Sequence, residues 1–170
     1  MRIFALLGSV ALLSACMANM PPKHSMVSSF DPTEIAWFYE DGSNSVHGSA
    51  LIRQAGGGVV TCAGALVYIM PVSTYADERM QAIHGNHSSG YSQHGANLIN
   101  EPPDQAYLDA SINATCDAQG FFSFRNLPDG EYYIVVGIQW HVSGYAVQGG
   151  GLMQRVALAG GDAVEVVLAP

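Results

Sequence analysis

Short apolar segments separated by glycine-rich turns recur along most of this chain, and they constrain its fold more than any other feature. Runs of this length, each bounded by turn residues, are typical of β-strands. The last run alternates most clearly, because Val164, Val166 and Leu168 fall on one face of a strand. The sequence therefore predicts an all-β sandwich of about seven to eight strands. The predicted strands are residues 46–53, 58–62, 64–70, 106–116, 121–124, 131–140, 145–158 and 163–168.

Residues 73–85 have the pattern of one short helix instead. Thr74 is the predicted N-cap, acidic residues follow in the first turn, and Gly85 lies just past the last turn. One face of this helix should cover an edge or open end of the sandwich, with a partner-binding helix as the alternative. That face contains Ala76, Met80 and Ile83.

The N-terminus has the pattern of an export signal. Arg2 precedes an apolar run too short to span a bilayer permanently, and residues 13–16 read Leu-Ser-Ala-Cys. This tetrapeptide resembles the lipobox of bacterial lipoproteins, in which the cysteine receives lipid and the leader is cleaved before it. We predict a signal peptide at residues 1–15 and lipid attachment at Cys16, with cleavage of an ordinary secretory signal as the alternative.

The predicted lipid determines the expected location of the protein. Acyl chains on Cys16 would hold it to a membrane of the cell envelope. Residue 17 is Met17 and not the aspartate that signals inner-membrane retention in many such lipoproteins, so we expect the outer membrane, facing the periplasm. Residues 16–33 are rich in Pro, Ser, Met and Asn, which predicts a flexible tether. The folded domain is predicted at residues 34–170, and it should begin with a strand around residues 35–39.

Charge and cysteine content narrow the possible partners. The formal net charge is −8, and removal of Arg2 with the leader makes it more negative, so we expect no nucleic-acid partner. If Cys16 carries lipid, Cys62 and Cys116 are the remaining cysteines. In an oxidising compartment they should form a disulfide; two separate buried thiols are the alternative.

Residues 115–132 carry a recognisable series of turn and strand residues. An Asp-x-x-Gly turn begins at Asp117, Phe-x-Phe follows at Phe122, and Leu-Pro-x-Gly-x-Tyr ends at Tyr132. This pattern resembles the carboxypeptidase regulatory-like family, whose domains are transthyretin-like sandwiches. The resemblance implies a transthyretin-like Greek-key arrangement of strands. It implies no particular function, because such modules serve as enzyme appendages, stalks and binding proteins.

Three histidines lie in or beside a long polar stretch, residues 86–105, that we expect to be mobile or functional. His84, His87 and His94 are candidate metal ligands, although no cysteine or carboxylate lies at ligand spacing nearby. Ser88 and Ser89 adjoin His87 without a nucleophile elbow around them. The sequence therefore shows no catalytic motif, and we predict neither an enzyme nor a bound cofactor.

Aromatic residues are concentrated around one predicted strand pair. Alternate members should pack in the core, while the opposite face could stack a sugar or peptide. These residues are Tyr132, Tyr133, Trp140 and Tyr145.

These patterns together favour a lipid-anchored, non-enzymatic binding or scaffold module of the cell envelope, with a possible protein partner there. The predicted helix and the polar stretch after it are its expected contact surface. The alternative is an envelope metal-binding or hydrolytic protein that uses His84, His87 and His94.

Overall fold

A computed structural model describes residues 21–144 and 146–170. The predicted signal peptide, Cys16, the first residues of the predicted tether and Tyr145 lie outside the described residues. None of the helices within the described ranges is both long and apolar enough to cross a membrane.

Within the described residues nine strands form two sheets, which confirms a mainly β architecture. The strands are β1 (Asn44–Arg53), β2 (Val59–Thr61), β3 (Leu66–Pro71), β4 (Ser89–Ser92), β5 (Ile112–Thr115), β6 (Phe121–Leu127), β7 (Gly130–Val142), β8 (Ala146–Leu158) and β9 (Ala163–Leu168). The same part of the chain also forms two α-helices, α1 (Thr74–His84) and α2 (Gln105–Asp109). Two further segments, Pro32–Tyr39 and Gly95–Leu98, are 3-10 helical.

The smaller sheet has four strands and the larger has five. In the smaller sheet β1 pairs antiparallel with β2 and β6 and parallel with β9. The larger sheet has the order β4-β8-β7-β3-β5, and all of its pairs are antiparallel. Because β1 and β9 are parallel, Arg53 and Pro170 come to the same end of the sandwich.

The main core lies between the two sheets. Alternate residues of the longer strands enter it, as the period of two requires, and Phe122, Phe124, Leu127, Tyr132 and Ile134 are all at least 96% buried. The predicted strands 121–124 and 131–140 agree closely with β6 and β7.

The disulfide prediction is also confirmed: Cys62 and Cys116 are bonded, with Cα atoms 5.8 Å apart. Because Cys62 follows β2 and Cys116 follows β5, the bond joins the two sheets.

Two predicted strands have a different structure. Residues 35–39 belong to the 3-10 segment, which begins when the Asp31 side chain accepts a hydrogen bond from the Thr33 backbone and Pro32 fixes the next dihedral. Predicted strand 106–116 is half helix: Asp104 caps α2 through the Ala106 backbone, and only Ile112–Thr115 pair as a strand. In both places an aspartate side chain caps a helical turn. The hydrophobic pattern of the segment predicted a strand there, because it contains no information about the cap.

Helix α1 lies on the outer face of the larger sheet, whereas we expected it at an edge or open end. Ser73, one residue before the predicted Thr74, is the N-cap, and its hydroxyl accepts from the Ala76 backbone at 3.2 Å. Gly85 ends the helix with a left-handed φ of 68°, as predicted. Ala76 and Met80 are buried in a second cluster of apolar residues with Tyr133 and other side chains of the sheet's outer face.

Part of the predicted tether, residues 24–30, contacts the folded domain. His24 pairs with Ile99 in an isolated parallel bridge, and His24, Val27 and Ser28 are hydrogen-bonded to the Glu78 side chain of α1. Phe30 packs edge-on against Tyr75, with ring centroids 6.0 Å apart. Composition predicts a flexible linker here, and in the structure this segment makes long-range hydrogen bonds and aromatic contacts with the domain. We call residues 24–30 the N-terminal strap.

Candidate functional site

The three candidate histidines do not form a shared metal site. His84, at the end of α1, is largely buried, and burial lowers its pKa to about 4. His87 is exposed, with Nδ1 3.9 Å from an Asp77 carboxylate oxygen, and His94 precedes the 3-10 segment Gly95–Leu98. Within residues 21–144 and 146–170, no three His, Cys, Asp or Glu side chains are grouped so that they could hold a metal ion. The structure therefore gives the metal-binding alternative no support.

Residues 86–105 are more ordered than a loop prediction implies. Ser89–Ser92 form edge strand β4, and the Ser88 backbone bonds Asn86 and Arg155 in the turn before it. Ser88 and Ser89 are exposed, and no described hydrogen bond joins either hydroxyl to His87. This part of the chain thus builds the larger sheet, and it presents no arrangement for nucleophilic hydrolysis.

A cleft of about 280 Å³ opens at one end of the sandwich, and we call it the aromatic cleft. It lies where β1, β4, the β7–β8 hairpin and the C-terminus meet. Its walls carry two aromatic rings, three glutamines and an arginine. The lining residues are Ile52, Arg53, Gln54, Ala55, Tyr91, Gln93, Trp140, Gln148, Gly149 and Pro170.

Backbone pairing positions the two aromatic rings. Trp140 of β7 is directly opposite Gln148 of β8, so both side chains lie on the same side of the sheet. Tyr91 of the adjoining strand is 37% exposed, and its hydroxyl donates to the Gly149 carbonyl at 2.9 Å. Gly149 has a φ of 106°, and a Cβ there would overlap the Ile138 carbonyl, so only glycine fits this close approach. The glycines of β8 thus let the cleft form.

The aromatic cleft has the chemical groups that recognise sugars. An aromatic ring offers a flat apolar surface to the C–H face of a sugar, and a Gln amide both donates to and accepts from hydroxyl groups. The Trp140 indole N–H is buried and has no acceptor among the described residues. A few polar groups around an apolar surface are typical of small-ligand sites.

A second cleft lies between α1 and the outer face of the larger sheet, and we call it the helix cleft. It consists of two adjoining hollows, of about 250 and 190 Å³, which share Tyr68, Met80, Ile83, Ala96 and Val135 as lining residues. Gly137 and Gly151 are paired across β7 and β8, and they leave the sheet without side chains beside the smaller hollow. His84 lines this hollow, and its buried Nδ1 has no hydrogen-bond partner in the described part of the chain.

The aromatic residues singled out from the sequence divide between core and cleft. Tyr132 and Tyr133 are fully buried, and the Tyr132 hydroxyl donates to the Pro128 carbonyl at 2.8 Å. Trp140 lines the aromatic cleft. Tyr91 was not predicted, because it lay in a presumed loop; the run of glycines at residues 149–151 was the signal of a close strand approach there.

A known protein shares this fold. No protein-family model matches the chain, and no curated protein sequence matches it. The structure is similar to a crystal structure from Pseudomonas aeruginosa described as that of a "putative carbohydrate binding protein". The TM-score is 0.69, and the sequences are 20% identical over 84% of this chain and 99% of the other. At this level of identity the similarity shows a common fold.

Proposed function

We propose that this protein is a non-enzymatic carbohydrate-binding module of the cell envelope, held to a membrane by lipid on Cys16. The observation that carries the proposal is the aromatic cleft, in which Tyr91 and Trp140 lie beside three glutamine amides. The structural neighbour's description as a carbohydrate-binding protein supports the same ligand class. Neutral sugars fit best, because the amides and rings recognise hydroxyl groups and C–H faces, and the negative net charge disfavours anionic glycans.

We further propose that the domain is a transthyretin-like Greek-key sandwich of the carboxypeptidase regulatory-like type. The turn residues of the motif support this. The Asp117 side chain accepts hydrogen bonds from the Gln119 and Phe121 backbones, both at 2.9 Å, and closes the turn before β6. Phe122 and the Tyr132 ring enter the core, as the family pattern implies.

Glycan-array screening followed by calorimetry with the neutral oligosaccharides that bind would test the ligand class. Tyr91→Ala should weaken binding about tenfold, because a stacked aromatic contact contributes roughly 0.5–1.5 kcal/mol beyond its buried area. Gln148→Ala should also weaken it. Tyr39→Ala is the matched control, because Tyr39 is 66% exposed and lies outside the cleft. Wild-type protein that binds no glycan, or Tyr91→Ala that binds as well as Tyr39→Ala, would contradict the proposal.

The anchor is tested separately with Cys16→Ser, which removes the thiol that would be acylated. The wild-type protein should fractionate with membranes, and the variant should be released to the aqueous fraction. Continued sedimentation of Cys16→Ser with membranes would refute lipid attachment at this residue. This experiment is independent of glycan binding.

A scaffold role with a protein partner is the second candidate, and the outer face of the smaller sheet favours it. Phe121 of β6 and Val167 of β9 both lie beside Ser49 of β1, and they are 57% and 63% exposed. A photo-crosslinker at Ser49 should then capture one defined envelope protein. A crosslinker at Tyr39 is the control, and equal capture from both positions would argue against this contact.

A further inference from the structure

Arg79 of α1 is 4% exposed, an unusual degree of burial for a charged side chain. Its guanidinium carbon lies 5.6 Å from the centroid of the Tyr75 ring and 5.8 Å from that of Tyr107. The one hydrogen bond that its side chain makes to residues 21–144 and 146–170 is a long contact of 3.5 Å from Nη1 to the Tyr75 hydroxyl. The guanidinium is thus held by aromatic faces and is sparsely hydrogen-bonded.

No carboxylate neutralises Arg79 in the described part of the chain, where none of its nitrogens lies within 4.0 Å of an acidic oxygen. Arg155 provides the contrast. It is more exposed, yet it contacts Asp77 at 3.4 Å and Glu131 at 2.6 Å. A guanidinium has five N–H donors, and leaving a buried charge without an anion is costly. Arg79 therefore has unused capacity to bind an anion.

The larger hollow of the helix cleft adjoins this arginine. Arg79 and Tyr107 both line it, no acidic side chain does among the described residues, and the remaining walls are mainly apolar. Its volume of about 250 Å³ exceeds the roughly 150 Å³ of an apolar cavity known to bind benzene. Leu108, 43% exposed, lies at its rim. The hollow is therefore large enough for a small ligand with an apolar body.

Tyr107 offers a second donor at the same place. Its hydroxyl donates to the Met70 sulfur, which is a weak acceptor, and burial raises the pKa of the Tyr107 phenol, so the group keeps its proton. A carboxylate oxygen would be a much better acceptor for this hydroxyl than a thioether.

We propose that the helix cleft binds a small amphiphilic carboxylate, with its head group on Arg79 and its apolar body against Met80, Ile83 and Leu108. The local charge supports an anion, because Arg79 is a positive charge placed inside an apolar hollow that no acidic side chain lines among the described residues. A carboxylate matches the planar guanidinium in a bidentate geometry. This site is separate from the aromatic cleft, so its test does not depend on whether the protein binds sugars.

Calorimetry on the purified full chain with three probes tests the proposal. Sodium octanoate has both the anion and the apolar body, 1-octanol has only the apolar body, and sodium acetate has only the anion. Octanoate should bind at least tenfold more tightly than either of the others. Equal affinities for octanoate and octanol, or no binding of octanoate at millimolar concentration, would overturn it.

Two variants locate the site. Arg79→Gln should weaken octanoate at least tenfold and leave octanol unchanged, whereas Arg125→Gln, a variant of an exposed arginine on β6, should have no effect. Leu108→Trp fills the rim and keeps the charge, so it should abolish octanoate binding even if Arg79→Gln fails to fold. Undiminished octanoate binding by folded Leu108→Trp would refute this location.

Discussion

Replacing Glu78 by glutamine should release the N-terminal strap from α1. The Glu78 carboxylate accepts hydrogen bonds from the Val27 and Ser28 backbones at 2.7 Å, from the Ser28 hydroxyl at 2.5 Å and from His24 Nε2 at 2.6 Å. Glutamine retains one acceptor oxygen, but its amide nitrogen would face two Ser28 donors. The strap then loses the group that accepts four of its hydrogen bonds.

The pKa of Glu78 indicates how much stability the Glu78→Gln variant should lose. Burial raises this pKa, but hydrogen bonds from Ser28, His24 and Val27 outweigh it and lower the pKa from 4.5 to about 2. At about 1.4 kcal/mol per pKa unit, the full shift is worth roughly 3 kcal/mol. The side chain remains 19% exposed, and solvent screening weakens such contacts, so we expect a loss of about 2 kcal/mol.

The same shift predicts a pH dependence with a definite sign. The pKa of Glu78 is lower in the folded protein than in the unfolded chain, so its stabilisation is present in full above the unfolded value of 4.5. The stabilisation is lost as the pH falls through that value toward about 2, because the unfolded state then binds the proton more readily. The free-energy difference between wild type and Glu78→Gln should therefore shrink between pH 7 and pH 3.

Guanidinium unfolding of wild type and Glu78→Gln at pH 7 and pH 3 measures the loss of stability and its dependence on pH. Glu165→Gln is the matched control, since Glu165 is exposed and has no hydrogen bond through its side chain in the described structure. Amide exchange at Val27 and Ser28 should also accelerate in Glu78→Gln. A pH-independent difference between wild type and Glu78→Gln, or unchanged exchange at the strap, would refute the reasoning.

Two further predictions concern the links that close the sandwich. Asn44→Ala should lower the free energy of unfolding by about 3 kcal/mol, because the fully buried Asn44 amide makes four hydrogen bonds, two as donor and two as acceptor. Denaturant unfolding would measure the change, and a loss below about 1 kcal/mol would contradict this account. Reducing the Cys62–Cys116 bond, which spans 54 residues, should lower stability by up to about 4 kcal/mol. The unfolding midpoint with and without reductant measures this, and the Cys62→Ala/Cys116→Ala variant should be insensitive to reductant.

The sequence was informative where a pattern is local. Alternation and glycine turns identified β1 and β9 within two residues of their ends, and the helix signals of α1 were correct to one residue at the N-cap. Prediction failed where a local cap or a distant partner overrides alternation. Asp104 starts α2 inside an apparent strand, and Glu78 binds Ser28, a residue 50 positions earlier.

The candidate sites required the tertiary structure. Tyr91 and Trp140 lie on different strands, and only the register of β4, β8 and β7 brings their rings to one cleft. The helical pattern of the sequence does not distinguish Arg79 from other polar helix residues. Its burial between two tyrosines follows from the packing of α1 and α2 on the sheet.

By itself the sequence determined the all-β class, the position of α1 and the pairing of Cys62 with Cys116, because periodicity, capping residues and cysteine count are properties of neighbouring residues or of composition. Only the tertiary structure determined which faces are covered, where the N-terminal strap lies and which side chains share a cleft. These depend on strand register and on contacts between residues far apart in the chain, and a single sequence carries no direct record of either.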